Sequence, residues 1–151
     1  MKFLEVRIPP PLVGLLFAGA MWLIARPGPH VGLPARETLA TALAIVGFGV
    51  MFAGLVSFRI ARTTINPLKP SEATSLVTGG VYRYTRNPMY LGMLVVLVGW
   101  AVFLAAPLTL VAVVAFFFYI QRFQIQPEER ALTALFGAAY TRYTQRVRRW
   151  L

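Results

Sequence analysis

An apolar run with a single proline inside it decides the fold of this chain. Residues 89–120 read MYLGMLVVLVGWAVFLAAPLTLVAVVAFFFYI, and no charged side chain interrupts them. Pro107 divides the run into Met89–Ala106 and Leu108–Ile120, both apolar enough to enter the hydrocarbon core of a membrane. Because proline disfavours continuation of a helix, we predict a tight helical hairpin whose turn lies at one membrane face.

Two further apolar runs precede this hairpin. Leu12–Ala25 follows three consecutive prolines, and Thr38–Ile60 is long enough to span a bilayer. Lys2 and Arg7 before a short apolar run could also indicate a signal peptide, but Glu5 and the prolines favour a retained first span. We therefore predict an all-α, polytopic membrane protein with about four transmembrane helices.

The composition supports a lipid-facing surface. Hydrophobic residues make up 58% of the chain and charged residues 13%, whereas a soluble domain has about 25% charged residues. The mean hydropathy is +0.65. With 151 residues, the chain has the length of one domain. We expect residues 1–151 to form a single integral membrane domain with the lipid bilayer as its partner.

The basic residues predict an orientation. Four spans would place the N-terminus, the polar segment Ala61–Asn87 and the amphipathic tail Pro127–Leu151 on one side, with 13 Lys and Arg residues against 2 on the other. The positive-inside rule makes the richer side cytosolic. The formal net charge of +10 then reflects orientation and headgroup contact rather than nucleic-acid binding, which the apolar bulk disfavours. For so short a chain we expect the cytoplasmic membrane of a prokaryote.

Two classes of site are excluded. The chain has no cysteine, which rules out thiol catalysis and zinc thiolate sites. His30 is its single histidine and cannot build a histidine metal cluster. We therefore expect no metal site.

The segment Gly79–Gly92 contains groups suited to an anionic ligand. It begins with two glycines, which permit unusual backbone shapes, and includes Arg83, Arg86 and Asn87 just before a predicted span. Pro88 suits the first position of that helix, whose free N–H groups would favour a carboxylate or phosphate. The structural alternative is a plain turn whose arginines only orient the span.

A second polar segment lies where the tail begins. Glu128 and Glu129 follow Pro127, so they either stabilise a helix N-terminus or hold a ligand ammonium group or ribose hydroxyls. Arg122, near the cytosolic end of the apolar run, either extends to the headgroups or serves function. Arg122 and Glu129 are seven positions apart and would share a helix face if the helix continued through Pro127.

Together the two segments resemble the isoprenylcysteine carboxyl methyltransferase family. The motif Gly-x-Tyr-x-x-x-Arg-Asn-Pro-x-Tyr-x-Gly, a hydrophobic hairpin and Glu-Glu-x-x-Leu-x-x-x-Phe-Gly-x-x-Tyr-x-x-Tyr stand in that order between Thr64 and Leu151. Phospholipid N-methyltransferases are similar over the same region. The resemblance implies an S-adenosylmethionine site on the cytosolic side, formed by the loop and the C-terminal amphipathic helices.

The resemblance also assigns residues to that site. It implies that Arg86, Asn87, Pro88, Tyr90 and Leu91 line the cofactor pocket, with Glu128 and Glu129 opposite. We add Tyr82, because aromatic faces can hold a sulfonium by cation–π contact; the candidates are Tyr82, Tyr84, Tyr90 and Tyr119, and each could instead be an interfacial anchor. Arg122 and Glu129 are our candidate catalytic residues. Asn87 replaces a frequent family histidine, and its amide can hydrogen-bond but cannot act as a base.

The expected function is methylation of a lipophilic acceptor. This is either the carboxylate of a prenylated or other lipid-like molecule, which needs no base, or a phospholipid amine, which must lose a proton. One alternative is an NADPH-dependent membrane reductase of the sterol-reductase type, which is similar in its C-terminal half but usually longer. The other is a non-catalytic membrane binding module.

Overall fold

The computed structural model describes residue 5 and residues 8–61 and 74–151. The predicted order of the long loop at residues 62–73, and the basic residues Lys2 and Arg7, lie outside these residues. Within the described part the chain is helical and has no strand. Its helices are α1 (Pro10–Ala25), α2 (Arg36–Ile60), α3 (Pro88–Leu104), α4 (Thr109–Ile120), α5 (Gln126–Phe136) and α6 (Ala138–Arg146).

Helix α3 is the centre of the bundle. It packs against α2 on one side and against α1 and α4 on the other. The core between α1, α3 and α4 contains side chains with little or no solvent exposure: Val13, Met21, Tyr90, Leu97, Phe116 and Ile120. Phe17 of α1 meets Phe116 edge-on, with ring centroids 5.5 Å apart. The apolar runs of the sequence therefore pack against one another as well as facing outward.

Glycines bring the backbones of α2 and α3 into contact. A Cβ added to Gly47 would lie 2.7 Å from the carbonyl oxygen of Gly92, and one added to Gly92 would collide with the carbonyl oxygen of Gly47. Gly99 repeats the contact seven residues further on, where an added Cβ would lie 3.1 Å from the carbonyl oxygen of Ala40. This spacing keeps the glycines on one helix face. We call these contacts the glycine seam; they allow the close approach typical of packed membrane helices.

The predicted helical hairpin is present. Helix α3 ends at Leu104, and Ala105 adopts the left-handed conformation with φ of 50°. The hydroxyl of Thr109 donates a hydrogen bond of 2.6 Å to the carbonyl of Ala106 and helps to begin α4. The main-chain N–H of Val31 donates to the carbonyl of Ala105 at 2.8 Å, which ties the connection between α1 and α2 to this turn.

Helix α4 continues into α5 through one wide turn. Residues Gln121–Ile125 form a π-helical turn, in which the N–H of Gln126 donates to the carbonyl of Gln121. Pro127 has no N–H to donate, yet the chain stays helical on both sides of it. Gly137, with φ of 47°, ends α5 and separates it from α6. A π turn holds more residues than an α turn, and this changes which side chains share a face.

Two helices of the described part, Arg36–Ile60 and the continuous Thr109–Phe136, are long and apolar enough to cross a membrane, judged by length and composition. Helices α1 and α3 are apolar but shorter, with 16 and 17 residues. Large hydrophobic side chains face outward on α1, α2 and α4, among them Leu15, Ile45, Phe48, Phe52, Val111 and Phe118. These surfaces indicate association with a membrane.

Candidate functional site

A short turn before α3 positions the first motif. Gly80 has φ of 60°, and a Cβ there would lie 2.7 Å from the hydroxyl oxygen of Ser57 in α2, so a side chain would be strained and crowded. The 3-10 helix Gly80–Arg83 follows and buries Tyr82. The hydroxyl of Thr85 accepts the N–H of Asn87 at 3.2 Å, and Pro88 then begins α3. The turn thereby places Arg86 and Asn87 directly before the N-terminus of α3.

The last residues of the chain run along this turn. The N–H of Arg86 donates to the carbonyl of Arg148 at 3.0 Å. The side-chain amide of Asn87 donates to the carbonyl of Arg149 at 2.9 Å. Trp150 anchors the same segment, because its indole N–H donates to the amide oxygen of Gln121 at 3.1 Å. We call residues 147–151 the C-terminal segment. Asn87 therefore helps to hold this segment in place.

Glu129 is the centre of the site. Its carboxylate lies 3.0 Å from Nη1 of Arg86 and accepts hydrogen bonds from Nε and Nη2 of Arg149 at 3.0 and 2.7 Å. The side chains of Arg86 and Glu129 are 13% and 18% exposed, whereas that of Arg149 is 35% exposed. The hydrogen bonds with Glu129 raise the pKa of Arg149 above its ordinary value, so its guanidinium stays charged.

Glu128 has different surroundings from those of Glu129. The hydroxyl of the buried Tyr90 in α3 donates a hydrogen bond to its carboxylate. Among the described residues, no arginine or lysine lies within ion-pair distance of Glu128. The two neighbouring carboxylates thus have distinct environments: Glu129 is neutralised by two guanidiniums, and Glu128 is bound to a phenol.

A polar cavity of about 730 Å³ opens beside Glu129. Its lining residues come from the turn before α3, from α5, from α6 and from the C-terminal segment: Arg86, Gln126, Glu129, Arg130, Thr133, Tyr140, Thr141, Thr144 and Arg149. We call it the polar cleft. Burial raises the pKa of Tyr140 to about 12, and the charge of Glu129 adds to this rise, so Tyr140 presents a neutral hydroxyl at neutral pH.

The structure brings most of the sequence-predicted site residues into one region. Arg86 and Glu129 line the polar cleft, and Asn87, Tyr90 and Glu128 lie next to it through the contacts described above. Of the predicted residues, only Arg86 and Glu129 line the cleft itself. Pro88 and Leu91 belong to the first turn of α3, and Tyr82 is buried, with its carbonyl accepting the hydroxyl of Tyr143 at 2.7 Å.

Arg122 is directed elsewhere. Its guanidinium lies 3.1 Å from the carboxylate of Glu5, and Arg130 is ion-paired with the same carboxylate. The Arg122 side chain is 47% exposed. Arg122 and Glu129 do not share a helix face, because the π turn adds one residue between the two. Arg130, eight positions after Arg122, lies on the same face as Arg122 instead, and both arginines contact Glu5.

Sequence reasoning did not select Arg149, Tyr140 or Trp150 as site residues. Tyr140 stands within the second motif, and Arg149 belongs to a basic pair near the end of the amphipathic tail, so both carried a signal. A basic pair at a predicted cytosolic end is ordinarily explained by orientation. Only the path of the C-terminal segment shows which of the two arginines enters the cleft.

The polar cleft suits S-adenosylmethionine, the cofactor that the resemblance implies. That molecule carries a carboxylate, an ammonium group and ribose hydroxyls. The guanidiniums of Arg86 and Arg149 match a carboxylate, and the Glu129 carboxylate matches the ammonium group or the hydroxyls. Pockets for ligands of this size have volumes of about 300–1,000 Å³, and the cleft lies within this range. Among the described residues, no cluster of His, Asp and Glu could hold a metal ion.

The sequence matches the family described as Phospholipid methyltransferase over residues 35–139. It is 37% identical over 105 residues to protein-S-isoprenylcysteine O-methyltransferase A of Arabidopsis thaliana, which covers 68% of this chain and 52% of that enzyme. It is 32% identical over 116 residues to protein-S-isoprenylcysteine O-methyltransferase of Xenopus laevis, with 71% and 40% of the two chains covered.

A third relative matches along its whole length. An uncharacterised protein of Haemophilus influenzae is 44% identical over 63 residues, which are 42% of this chain and 100% of that protein. The chain spans about half the length of the Arabidopsis enzyme. No solved structure matches the chain.

Proposed function

Because the chain belongs to the phospholipid methyltransferase family, we propose that it transfers a methyl group from S-adenosylmethionine to a lipophilic acceptor at the cytosolic face of a membrane. The observation that carries the proposal is the ion pair between Arg86 and Glu129, which joins the two motifs at one polar cleft. The apolar helices begin directly beside this cleft, so a polar donor and an apolar acceptor can meet there.

The residues of the cleft bind and orient. When bound, S-adenosylmethionine supplies an electrophilic methyl group that an acceptor atom can attack in line. Arg86 and Glu129 hold each other at 3.0 Å, and this fixes their positions before a ligand arrives. Tyr140 and Arg149 line the same cleft and can orient a bound ligand through hydrogen bonds. The protein accelerates such a reaction mainly by positioning two reactants, and it needs no metal ligand to do so.

Arg122 and Glu128 are the residues that we assign to the acceptor side. Arg122 stands just below the apolar α4 and could hold an acceptor carboxylate after exchanging its partner Glu5. An acceptor amine would instead have to release a proton, and we assign Glu128, whose pKa is raised to about 8 by burial, to receive that proton in its ionised form. Acceptors of both classes agree with the names of the family and of its relatives.

The membrane arrangement follows from the same proposal. Four spans, formed by α1, α2, α3 and α4, would place the polar cleft, α5 and α6 on the cytosolic side, in the cytoplasmic membrane of a prokaryote. Helix α1 is close to the minimum length for a span, and Ile8 before it lies against the core and extends its apolar surface. Arginines dominate the charge around the cleft, as expected for a cytosolic face.

Calorimetric titration of the purified protein in lipid nanodiscs tests the proposed function. We expect saturable binding of S-adenosylhomocysteine and no binding of NADPH. Transfer of a labelled methyl group to a component of a lipid extract would then identify the acceptor. Binding of NADPH alone would overturn the proposal in favour of a reductase. Binding of S-adenosylhomocysteine without any transfer to extracts from several sources would favour a non-catalytic binding module.

A further inference from the structure

The C-terminal segment brings into the polar cleft a charge that neither motif contains. Three hydrogen bonds to main-chain carbonyls fix its path: Arg148 accepts from the N–H of Arg86, and Arg149 accepts from the side chains of Thr85 and Asn87. The ring of Trp150 packs against that of Phe117, with ring centroids 4.8 Å apart. These contacts hold the main chain before and after Arg149, and the side chain of Arg149 points at Glu129.

The guanidinium of Arg149 retains hydrogen-bonding capacity in this position. A guanidinium has five N–H groups, and Arg149 donates two of them to Glu129, through Nε and Nη2. The other three have no partner among the described residues, and Arg149 lines the cleft with its side chain 35% exposed. Arg86 differs, because its side chain is 13% exposed and its Nε is buried without a partner.

The charges at the cleft favour an anionic group. Arg86 and Arg149 contribute two positive charges and Glu129 one negative charge, while Arg130, which also lines the cleft, is paired with Glu5. At least one positive charge therefore remains uncompensated beside a cavity of about 730 Å³, since Arg130 shares Glu5 with Arg122. A carboxylate bound bidentately on the open edge of Arg149 would satisfy both the charge and the N–H groups.

We propose that Arg149 recognises the carboxylate of the methyl donor's amino-acid part, and that the C-terminal segment carries this specificity residue into the cleft. The inference rests on the proposed function, since it assumes a donor of the S-adenosyl class. Glu129 then holds the ammonium group or ribose hydroxyls beside it, and Arg86 keeps Glu129 in place. The donor is thus bound by residues from three separate parts of the chain.

Two ligands that differ in one group test the inference. S-adenosylhomocysteine carries the amino-acid carboxylate, and its decarboxylated analogue keeps the amine but lacks that carboxylate. We would measure both by calorimetry on the wild-type protein, on Arg149→Met and on Arg149→Lys. The matched control is Arg146→Met, which changes an exposed arginine at the end of α6.

A charge-assisted bidentate contact predicts a loss of about tenfold to a hundredfold in affinity when it is removed. We expect the wild type to prefer S-adenosylhomocysteine by about that factor. Arg149→Met should abolish the preference by weakening S-adenosylhomocysteine alone, Arg149→Lys should keep part of it, and Arg146→Met should match the wild type.

Other outcomes would overturn the inference. An equal loss for both ligands in folded Arg149→Met would mean that Arg149 only positions Glu129, and an unchanged preference would mean that the carboxylate binds elsewhere. If Arg149→Met does not fold, the test is the comparison of Arg149→Lys with the wild type. A smaller preference for S-adenosylhomocysteine over its decarboxylated analogue in Arg149→Lys supports the inference, and an equal preference contradicts it. A wild type that binds both ligands equally overturns this inference alone, whereas one that binds neither overturns the proposed function as well.

Discussion

The guanidinium of Arg86 lies 3.0 Å from the carboxylate of Glu129, although one residue precedes α3 and the other stands in the first turn of α5. Both side chains are largely buried, at 13% and 18% exposure. A pair that is withdrawn from water depends on both members, because removing one leaves the other charge with less compensation. Arg149 also pairs with Glu129, so it partly offsets the loss of Arg86 but not the loss of Glu129.

This relationship predicts that Glu129→Ala and Arg86→Ala each lower the affinity for S-adenosylhomocysteine. We expect a loss of at least about tenfold, because each substitution removes a charged group that lines the cleft. Calorimetry measures the affinity, and circular dichroism verifies that the helices persist. Arg83→Ala, at an exposed arginine of the neighbouring 3-10 helix, is the control. Unchanged affinity in either folded variant would contradict the role assigned to that residue.

The glycine seam predicts a large stability difference between two similar substitutions. Gly92→Ala would drive a methyl group into the carbonyl of Gly47, and such overpacking costs about 1–3 kcal/mol. Gly49→Ala in the same helix as Gly47 meets nothing within 4 Å, so it should be neutral or stabilise the helix by up to about 1 kcal/mol. Unfolding in mixed micelles measures both. Equal stabilities would contradict the close contact between α2 and α3.

Substitution of Arg122 should change the rate of methyl transfer without changing the affinity for the cofactor. We expect Arg122→Gln to lower the rate of methyl transfer while the affinity for S-adenosylhomocysteine stays within about twofold, because Arg122 does not line the polar cleft. Its ion pair with Glu5 is 47% exposed on the arginine side and contributes only about 0–1 kcal/mol.

Glu5→Gln is the matched variant for Arg122, since it removes the same ion pair and leaves the arginine in place. Its rate of methyl transfer should remain close to that of the wild type. If Glu5→Gln slows the reaction as much as Arg122→Gln does, the ion pair matters and the guanidinium has no role of its own toward the acceptor.

Tyr140 predicts how stability changes in alkali. Its pKa is raised from 10.0 to about 12 in the folded protein, mainly by burial, so the unfolded chain loses this proton first. The contribution is complete below pH 10 and disappears as the pH rises toward 12, with a maximum of roughly 2–3 kcal/mol. The free energy of unfolding of Tyr140→Phe should therefore fall less steeply between pH 10 and 12. Parallel curves for the two proteins would exclude this contribution.

Much of the fold could be predicted because the apolar runs and their punctuation are local signals. Pro107 marks the hairpin, Gly137 marks the break between α5 and α6, and the run Thr38–Ile60 differs from α2 only at its N-terminal end. The meeting of the two motifs was expected from the resemblance, and the ion pair of Arg86 with Glu129 shows their contact. Hydrophobic periodicity and helix-breaking residues are sufficient to predict the helices and their ends.

The register of the α4–α5 helix could not be predicted in this way. The interval between Arg122 and Glu129 suggests a shared face only if every turn is an α turn. The π turn at Gln121–Ile125 adds a residue, and its side chains make tertiary contacts. The amide of the fully buried Gln124 donates to the carbonyl of Ile8, and Gln121 accepts the indole N–H of Trp150. Such contacts leave no periodic pattern in the sequence.

The glycine seam also determines where the protein can move. Two helices whose backbones touch cannot slide or separate without losing contact along their whole length, so α2 and α3 behave as one rigid body. The polar cleft has one wall on the turn that begins this body and the other on α5, α6 and the C-terminal segment. Gly137, where an added Cβ would meet nothing within 4 Å, is the natural hinge of the second wall. A change in the width of the polar cleft would therefore displace the amphipathic helices, while α2 and α3 stay fixed to each other.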